Sequence, residues 1–186
     1  MIVWILRGLS GAGKSTFSKC FENGHIVSAD FHHTYNGVYK YDVKNVQRAH
    51  GLCLKEFTEL VRRQNVLPFE DYDHLIVDNT NIHLEYISPY VRLAQAYELE
   101  FYIVEFRCTI EEAIARNVHG TPDEAIRRMY NAMDTVQLPK SWPVCKIEEM
   151  RFGGKTYTPG QTVVRRSDWL ARDASGRPGK DETLGS

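Results

Sequence analysis

The sequence predicts a three-layer α/β fold in which helices cover both faces of a central parallel sheet. Short apolar runs alternate along the chain with segments whose apolar residues recur three and four positions apart. The runs are continuously apolar, which is typical of strands buried on both faces. Strands that alternate with helices pair in parallel through right-handed crossovers, so we expect one sheet.

The composition is that of a single globular domain with a small addition. The chain has 186 residues, of which 42% are hydrophobic and 25% charged, and its formal net charge is -1. This balance disfavours a protein that coats nucleic acid through a broad basic surface. The four cysteines include no C-x-x-C pair, which indicates reduced, mostly buried thiols rather than a zinc site or a disulfide framework.

The sequence shows no membrane span, because no apolar run approaches the roughly 20 residues that a span requires. The opening apolar run is also too short for the core of a signal peptide. We therefore expect a cytoplasmic protein, in the host cytoplasm if the protein is viral, with no membrane association. No obligate protein partner is indicated.

The first elements predict a β-α-β unit followed by a long helix. Residues 2–6 form the first strand, a helix follows the glycine-rich turn, and residues 25–30 form the second strand. From Asp42, which is placed to cap a helix, to about Gln64 the apolar residues keep helical spacing. His50 lies in this apolar stripe, as either a core histidine or a substrate contact.

The next elements continue the alternation. Residues 74–80, HLIVDNT, predict a third strand, and residues 99–106 predict a fourth. Between them a helix is expected to begin at Ser88, with Pro89 at its first position.

Two capping boxes predict two short helices in succession. Thr109 pairs with Glu112, and Thr121 pairs with Glu124, at the spacing of that motif. Arg127 lies off the apolar stripe of the second helix. Two helices joined by a short glycine-containing segment are typical of a lid.

The chain divides into a main domain, residues 1–136, and two further segments. Residues 137–171 carry Gly-Gly and Pro-Gly turn signals and predict a strand and a hairpin. Residues 172–186 have little to bury and predict a disordered tail. The hairpin region either extends a nucleic-acid groove or forms a charged exposed edge; its candidate residues are Lys155, Arg165, Arg166 and Trp169.

Residues 8–16, GLSGAGKST, match the phosphate-binding pattern G-x-x-x-x-G-K-[ST] between a predicted strand and a predicted helix. In that context backbone N–H groups and the helix dipole hold phosphate groups. Lys14 is expected to reach the β- and γ-phosphates, and Ser15 to bind Mg²⁺. The residues predicted to contact ATP are Gly8, Ser10, Gly11, Ala12, Gly13, Lys14, Ser15 and Thr16.

The strand ends favour a kinase over a motor ATPase. Asp78 is followed by Asn79 and has no adjacent glutamate to activate water, so Asp78 is a candidate Mg²⁺ ligand only. Asp30 ends the second strand, at the sheet edge where ligands bind in parallel sheets, and is the candidate base. Arg116 and Arg127 are candidate cations for the transferring phosphoryl group.

The segment after the second strand leaves two alternatives open. Asp30 with His32 and His33 suggests a metal site, but Mg²⁺ prefers oxygen ligands, so we interpret the histidines as facing the substrate. Nearby tyrosines either stack on bases or pack the loop against the long helix; they are Tyr35, Tyr39 and Tyr41.

The ordered set GLSGAGKST, SADF, IVDNTN, RNVHG and IRRMYNAM resembles the kinase domain of the 5′-polynucleotide kinase family and its phage DNA-modifying relatives, over about residues 1–134. The resemblance implies transfer of phosphate from ATP to a nucleic-acid hydroxyl, with DNA expected rather than RNA, and a strand order of 2-3-1-4. It also implies that Asp30 is the general base, that Arg116 and Arg127 are lid cations, and that Thr80 faces the acceptor.

Two positions depart from this family, and both are expected to contact the substrate. His33 stands three residues after the base, where members often have arginine, and His119 stands where many have a second hinge arginine. Histidine is the weaker phosphate ligand near neutral pH. An unusual acceptor is therefore an open alternative. One such acceptor is the hydroxymethyl group of a modified base, and that base would have to leave the base stack. A small-molecule kinase of a sugar, antibiotic or nucleotide is the alternative, followed by a non-catalytic ATP-binding module.

Overall fold

The computed structural model describes residues 1–35, 38–39, 43–66, 72–152 and 155–164, and its central sheet has five parallel strands. They are β1 (Ile2–Gly8), β2 (Gly24–Val27), β3 (His74–Val77), β4 (Glu100–Phe106) and β5 (Val144–Lys146). Their order is β2-β3-β1-β4-β5. The predicted α/β class and the order 2-3-1-4 are confirmed, and a fifth strand extends the sheet beside β4.

The helices follow the predicted alternation. They are α1 (Lys14–Ser18), α2 (Val46–Val66), α3 (Leu84–Ala96), α4 (Ile110–Ala115) and α5 (Asp123–Thr135). Two short antiparallel hairpins pair Thr34–Tyr35 with Val38–Tyr39 and Arg151–Phe152 with Lys155–Thr156. The strand and the hairpin predicted within residues 137–171 are both present.

The central strand β1 explains why helices lie on both faces, because every one of its residues is buried. Side chains alternate across a strand. Val3 and Ile5 pack in one cluster with residues of α2 and α3, and Trp4 and Leu6 pack in another with Phe17 of α1. The result is three layers.

The C-terminal segment completes the core on the α1 face. The Val164 N–H donates to the Cys20 carbonyl at 2.7 Å, and the Glu22 N–H donates to the Val164 carbonyl at 2.9 Å. Val164 and Met150 are both fully buried in the cluster that contains Trp4.

Helix α3 begins earlier than predicted. It starts at Leu84 after the extended residue His83, and Pro89 lies inside it. Ser88 does not cap the helix, because its hydroxyl donates to the Leu84 carbonyl at 2.6 Å. Proline at the first helical position is a preference, and here the chain turns into the helix before that point.

The two predicted capping boxes have different outcomes. The box of Thr109 and Glu112 is confirmed at the start of α4. The box predicted at Thr121 is wrong, because α5 follows the extended residue Pro122 without a side-chain cap. The Thr121 hydroxyl donates instead to the Ser10 hydroxyl at 3.2 Å.

Several predictions fall outside the described residues. These are the tail at residues 172–186 and the roles suggested for Asp42, Tyr41, Arg165, Arg166 and Trp169; the side chains of Tyr35 and Tyr39 are likewise not described. Among the described helices, none is both long enough and apolar enough to cross a membrane. All four cysteines are free, with Cys20 and Cys53 buried and Cys108 and Cys145 partly exposed.

Candidate active site

The glycine-rich loop between β1 and α1 depends on glycine at two positions. Gly11 and Gly13 have φ angles of 80° and 94°, in the left-handed region that other residues seldom adopt. A Cβ on Gly11 would lie 2.2 Å from the backbone oxygen of Ala113 in α4. The Gly8 N–H donates to the Thr80 carbonyl at 2.9 Å, so the loop is held against α4 and the end of β3.

Lys14 begins α1, and its side chain folds back beneath the loop. Its ammonium group donates to the Gly8 carbonyl at 3.1 Å and to the Leu9 carbonyl at 2.6 Å. Burial lowers the pKa of Lys14, while the charges of Asp78 and Asp30 act to raise it. The side chain therefore lies at the floor of the loop, where two backbone carbonyls accept its hydrogen bonds.

A cavity of about 1060 Å³ lies over the loop. Most of the residues predicted for the site line this one cavity: Ser10, Gly11, Gly13, Lys14, Ser15, Thr16, Asp30, Asp78, Thr80, Arg116 and His119. They come from the loop, from the segments that follow β2 and β3, and from the segment between α4 and α5. The second strand ends earlier than predicted, at Val27, and Asp30 lies in a short 3-10 helix, Ala29–His33.

Four predicted residues are not part of its lining. Gly8 lies behind the loop, and Ala12 faces a neighbouring cavity. His33 is buried, with 7% of its surface exposed, and Arg127 is exposed on α5. The structure therefore does not bring His33 or Arg127 to the main cavity.

Asp78 directly follows β3 and is anchored there. Its N–H donates to the Val27 carbonyl of β2 at 2.9 Å, and the Ser18 hydroxyl donates to its Oδ2 at 3.0 Å. Ser15 is exposed in the same cavity. A carboxylate and a hydroxyl oxygen thus face the same space, and hard divalent cations prefer such donors.

Asp30 is held by residues that the sequence analysis did not single out. The Ala29 N–H donates to Asn79 Oδ1 at 2.8 Å, and the Asp30 N–H donates to the Ser28 hydroxyl at 3.3 Å. The Ser28 hydroxyl in turn donates to the Asp78 carbonyl at 2.7 Å. The positions of Ser28 and Asn79 beside two neighbouring strand ends were the signal that could have identified them.

The rim near Asp30 combines an imidazole with exposed apolar side chains. His119 Nε2 lies 3.9 Å from Asp30 Oδ2. Phe31 is 56% exposed and Val118 is 85% exposed, and both line the cavity. The surface around Asp30 is therefore apolar as well as polar.

Two histidines near Asp30 pack toward helices. His32 Nε2 lies 3.5 Å from Glu56 Oε2. The ring of His50 lies against that of Tyr86, with 4.8 Å between their centroids, and burial lowers the pKa of His50. Within the described ranges, no group of three or more His, Cys, Asp and Glu residues could hold a metal ion.

A second cavity, of about 470 Å³, adjoins the first. The two share Gly13, Thr16 and Arg116. Arg116 directly follows α4 as its C-cap, and its guanidinium donates to Glu112 Oε1 at 3.1 Å. The remaining walls of the second cavity are Ala12, Phe106, Ile147, Glu148, Tyr157 and Pro159.

A phosphate-binding loop after the central strand, with carboxylates at the ends of the neighbouring strands, defines a P-loop kinase-like domain. By sequence the chain belongs to the family described as AAA domain, which matches residues 3–129.

The chain is also similar to individual proteins. NEDD4-binding protein 2 from Homo sapiens is 31% identical over 137 residues, which make up 69% of this chain and only 7% of that protein. The chain therefore spans a small part of that relative.

Two solved structures share the fold. A sugar kinase from Janibacter sp. HTCC2649 has a TM-score of 0.50 and 14% identity, with 78% of this chain and 83% of that chain covered. A suspected kinase from Chloroflexus aurantiacus has a TM-score of 0.52 and 12% identity, with 78% and 86% covered. At these identities the likeness shows the fold alone.

Proposed function

We propose that the protein is a kinase that transfers the γ-phosphate of ATP to a hydroxyl group of nucleic acid. The observation that carries this proposal is that the phosphate loop with Lys14, after β1, and Asp30, after β2, line one cavity. Transfer to a hydroxyl requires a base near the phosphate donor, whereas a hydrolase must orient a water molecule. Asp30 meets the first requirement.

The donor nucleotide fits the two adjoining cavities. Its phosphates would lie in the loop, where Lys14 would donate hydrogen bonds to phosphate oxygens instead of to the Gly8 and Leu9 carbonyls. The second cavity meets the first at Gly13 and Thr16, so the nucleoside would extend into it. There the carboxylate of Glu148 can accept a hydrogen bond from the amino group of adenine.

The oxygen donors at the loop fit Mg²⁺. Ser15 and Asp78 would hold the ion, and the Ser18 hydroxyl orients one oxygen of that carboxylate. Mg²⁺ keeps waters and substrate oxygens among its ligands, so it needs few protein ligands. When bound, Mg²⁺ supplies charge that stabilises the phosphates during transfer.

The acceptor side supplies proton transfer and positioning. As the oxygen of the acceptor hydroxyl attacks the γ-phosphorus, Asp30 would take the proton of that hydroxyl. The bond from that phosphorus to the bridging oxygen breaks, and ADP leaves with the electron pair. Arg116 and His119 would approach the phosphoryl group from the segment between α4 and α5, and Thr80 would face the acceptor.

Two observations support nucleic acid as the acceptor. The motifs resemble those of polynucleotide kinases, and the exposed apolar side chains of Phe31 and Val118 flank Asp30. A flat nucleobase can cover such surface, and stacking on an aromatic side chain contributes about 1 to 3 kcal/mol per base. His119, where relatives often have arginine, favours an acceptor that needs no strong phosphate contact at that point, such as a base hydroxymethyl group.

The test is phosphate transfer from γ-labelled ATP to defined acceptors. These are single-stranded, blunt and overhanging oligonucleotides, oligonucleotides with hydroxymethylated bases, and a panel of sugars, antibiotics and nucleotides. We expect label on an oligonucleotide. Label that moves only to a small molecule would refute the nucleic-acid assignment, and nucleotide binding without transfer to any acceptor would refute the kinase assignment.

The role of Asp30 has a matched control in the same cavity. Asp30→Asn should slow transfer by ~10²- to 10⁴-fold and leave ATP affinity unchanged, because it removes only the base. Glu22→Gln makes the same chemical change at another cavity residue and should leave the rate unchanged. Single-turnover rates measure transfer, and calorimetry measures ATP binding. Equal rates for the Asp30 and Glu22 variants would remove Asp30 from the mechanism.

A further inference from the structure

The segment between α4 and α5, residues 116–122, is bonded to the phosphate loop through one hydroxyl group. We call it the hinge segment. Ser10 donates its hydroxyl proton to Asn117 Oδ1 at 3.3 Å, and the Thr121 hydroxyl donates to Ser10 Oγ at 3.2 Å. Ser10 therefore joins a residue near each end of the hinge segment to the loop.

The hinge segment is also closed on itself. Asn117 Nδ2 donates to the Thr121 carbonyl at 2.6 Å, and the Thr121 N–H donates to Asn117 Oδ1 at 3.3 Å. Between these anchors Gly120 has a φ of 67°, which suits the tight turn. The residues at the tip of this turn are Val118 and His119, and both line the main cavity.

A second contact independently brings the loop close to α4. The space beside Gly11 is filled by the backbone of Ala113, to within 2.2 Å of where a Cβ would stand. Because α4 leads directly into the hinge segment, the phosphate loop touches both the helix and the segment that it carries. The loop is thus joined to α4 and to the hinge segment by short, defined contacts.

We propose that Asn117 and Thr121 are positioning residues that couple occupancy of the phosphate loop to the placement of His119 beside Asp30. The meaning of this placement for catalysis rests on the proposed function. A nucleotide that orders the loop fixes the orientation of Ser10, and Ser10 in turn holds Asn117 and Thr121. The tip of the hinge segment, 3.9 Å from the carboxylate of Asp30, is then presented to the acceptor.

Thr121 offers a clean pair of variants. Thr121→Val keeps the side-chain shape and removes the hydroxyl that donates to Ser10, whereas Thr121→Ser keeps the hydroxyl. Loss of one such bond should lower kcat by about 2- to 12-fold, with little change in ATP affinity, because it affects the placement of His119. The serine variant should retain the wild-type kcat.

Hydrogen exchange of the hinge-segment amides supplies a readout that does not require an acceptor. In the wild-type protein a non-hydrolysable ATP analogue should slow exchange across residues 116–122. Thr121→Val should weaken this effect, and Thr121→Ser should preserve it. No effect of the analogue in the wild type, or equal effects in both variants, would overturn the coupling. Because this measurement is independent of transfer, it distinguishes failure of the coupling from failure of the kinase assignment.

Discussion

Replacing Arg7 with methionine should destabilise the protein strongly, because Arg7 forms an ion pair inside the sheet. Arg7 is 1% exposed and Glu105, its partner on β4, is 9% exposed. The same guanidinium donates to the Ile82 carbonyl at 3.2 Å and to the Val136 carbonyl at 3.1 Å. The substitution would leave the carboxylate buried and would remove the donor from both carbonyls.

The expected loss follows from this burial. Removing one partner of a buried pair costs about 3 to 5 kcal/mol, and the more exposed Arg107, 3.8 Å from the other oxygen of Glu105, compensates the remaining charge only in part. A domain has about 5 to 15 kcal/mol of total stability. For a chain of this size each kcal/mol corresponds to about 2 to 4 °C of Tm, so Tm should fall by roughly 6 to 20 °C.

Urea unfolding followed by circular dichroism would measure the loss, with two controls. The double variant Arg7→Met with Glu105→Leu should recover most of the stability, because an apolar pair can replace a buried ion pair. Arg128→Met removes an exposed partner of Glu124 on α5 and should change stability by less than about 1 kcal/mol. A loss for Arg7→Met as small as that of Arg128→Met would refute the reasoning.

Two further predictions concern pH and the loop. Burial, with a smaller effect of Cys20, raises the pKa of Tyr157 from 10.0 to about 12, so the folded state keeps a proton that the unfolded chain loses. The associated stability is complete below pH 10 and is lost as the pH rises from about 10 to 12. Tyr157→Phe should reduce this loss of stability with rising pH, as measured by urea unfolding. The same pH dependence in Tyr157→Phe and in the control Tyr130→Phe would contradict the prediction. Gly11→Ala should abolish nucleotide binding in calorimetry, because the added Cβ would collide with backbone atoms and φ is positive. The control Gly51→Ala, at an open helix position, should stabilise the protein by about 0.5 to 1 kcal/mol. Normal nucleotide binding by the Gly11 variant would contradict the loop argument.

Local patterns predicted the alternating strands and helices, the loop, Asp30 and Asp78, whereas the strand order and the positions of Thr80 and His119 came from the family resemblance. Strand ends could be recognised from short apolar runs, and parallel strands bring their carboxyl ends to one edge. Asp30 and Asp78 line the same cavity for this reason, although they lie far apart in sequence. Their chemical roles stay predictions.

Contacts between distant segments could not be predicted in this way. Arg7 stands at the end of an apolar run, and its partner Glu105 is 98 positions away. The hydrogen bond from Thr121 to Ser10 spans 111 positions, and no local sequence pattern indicates which distant hydroxyl group a threonine will bond to. The helical period showed that Arg127 does not lie on the apolar face of its helix. It could not show whether the opposite face lines the cavity or is exposed to solvent.

The backbone hydrogen bonds of Val164 with Cys20 and Glu22 affect the order in which the parts of this protein can fold during synthesis. The segment that covers α1 leaves the ribosome more than a hundred residues after the phosphate loop, and closing so long a separation costs entropy. The cavity wall formed by Gly160, Thr162 and Val163 therefore forms well after the phosphate loop has been synthesised. A nucleotide that binds only the completed cavity would favour that docking by mass action, and would therefore also assist the folding of the new chain.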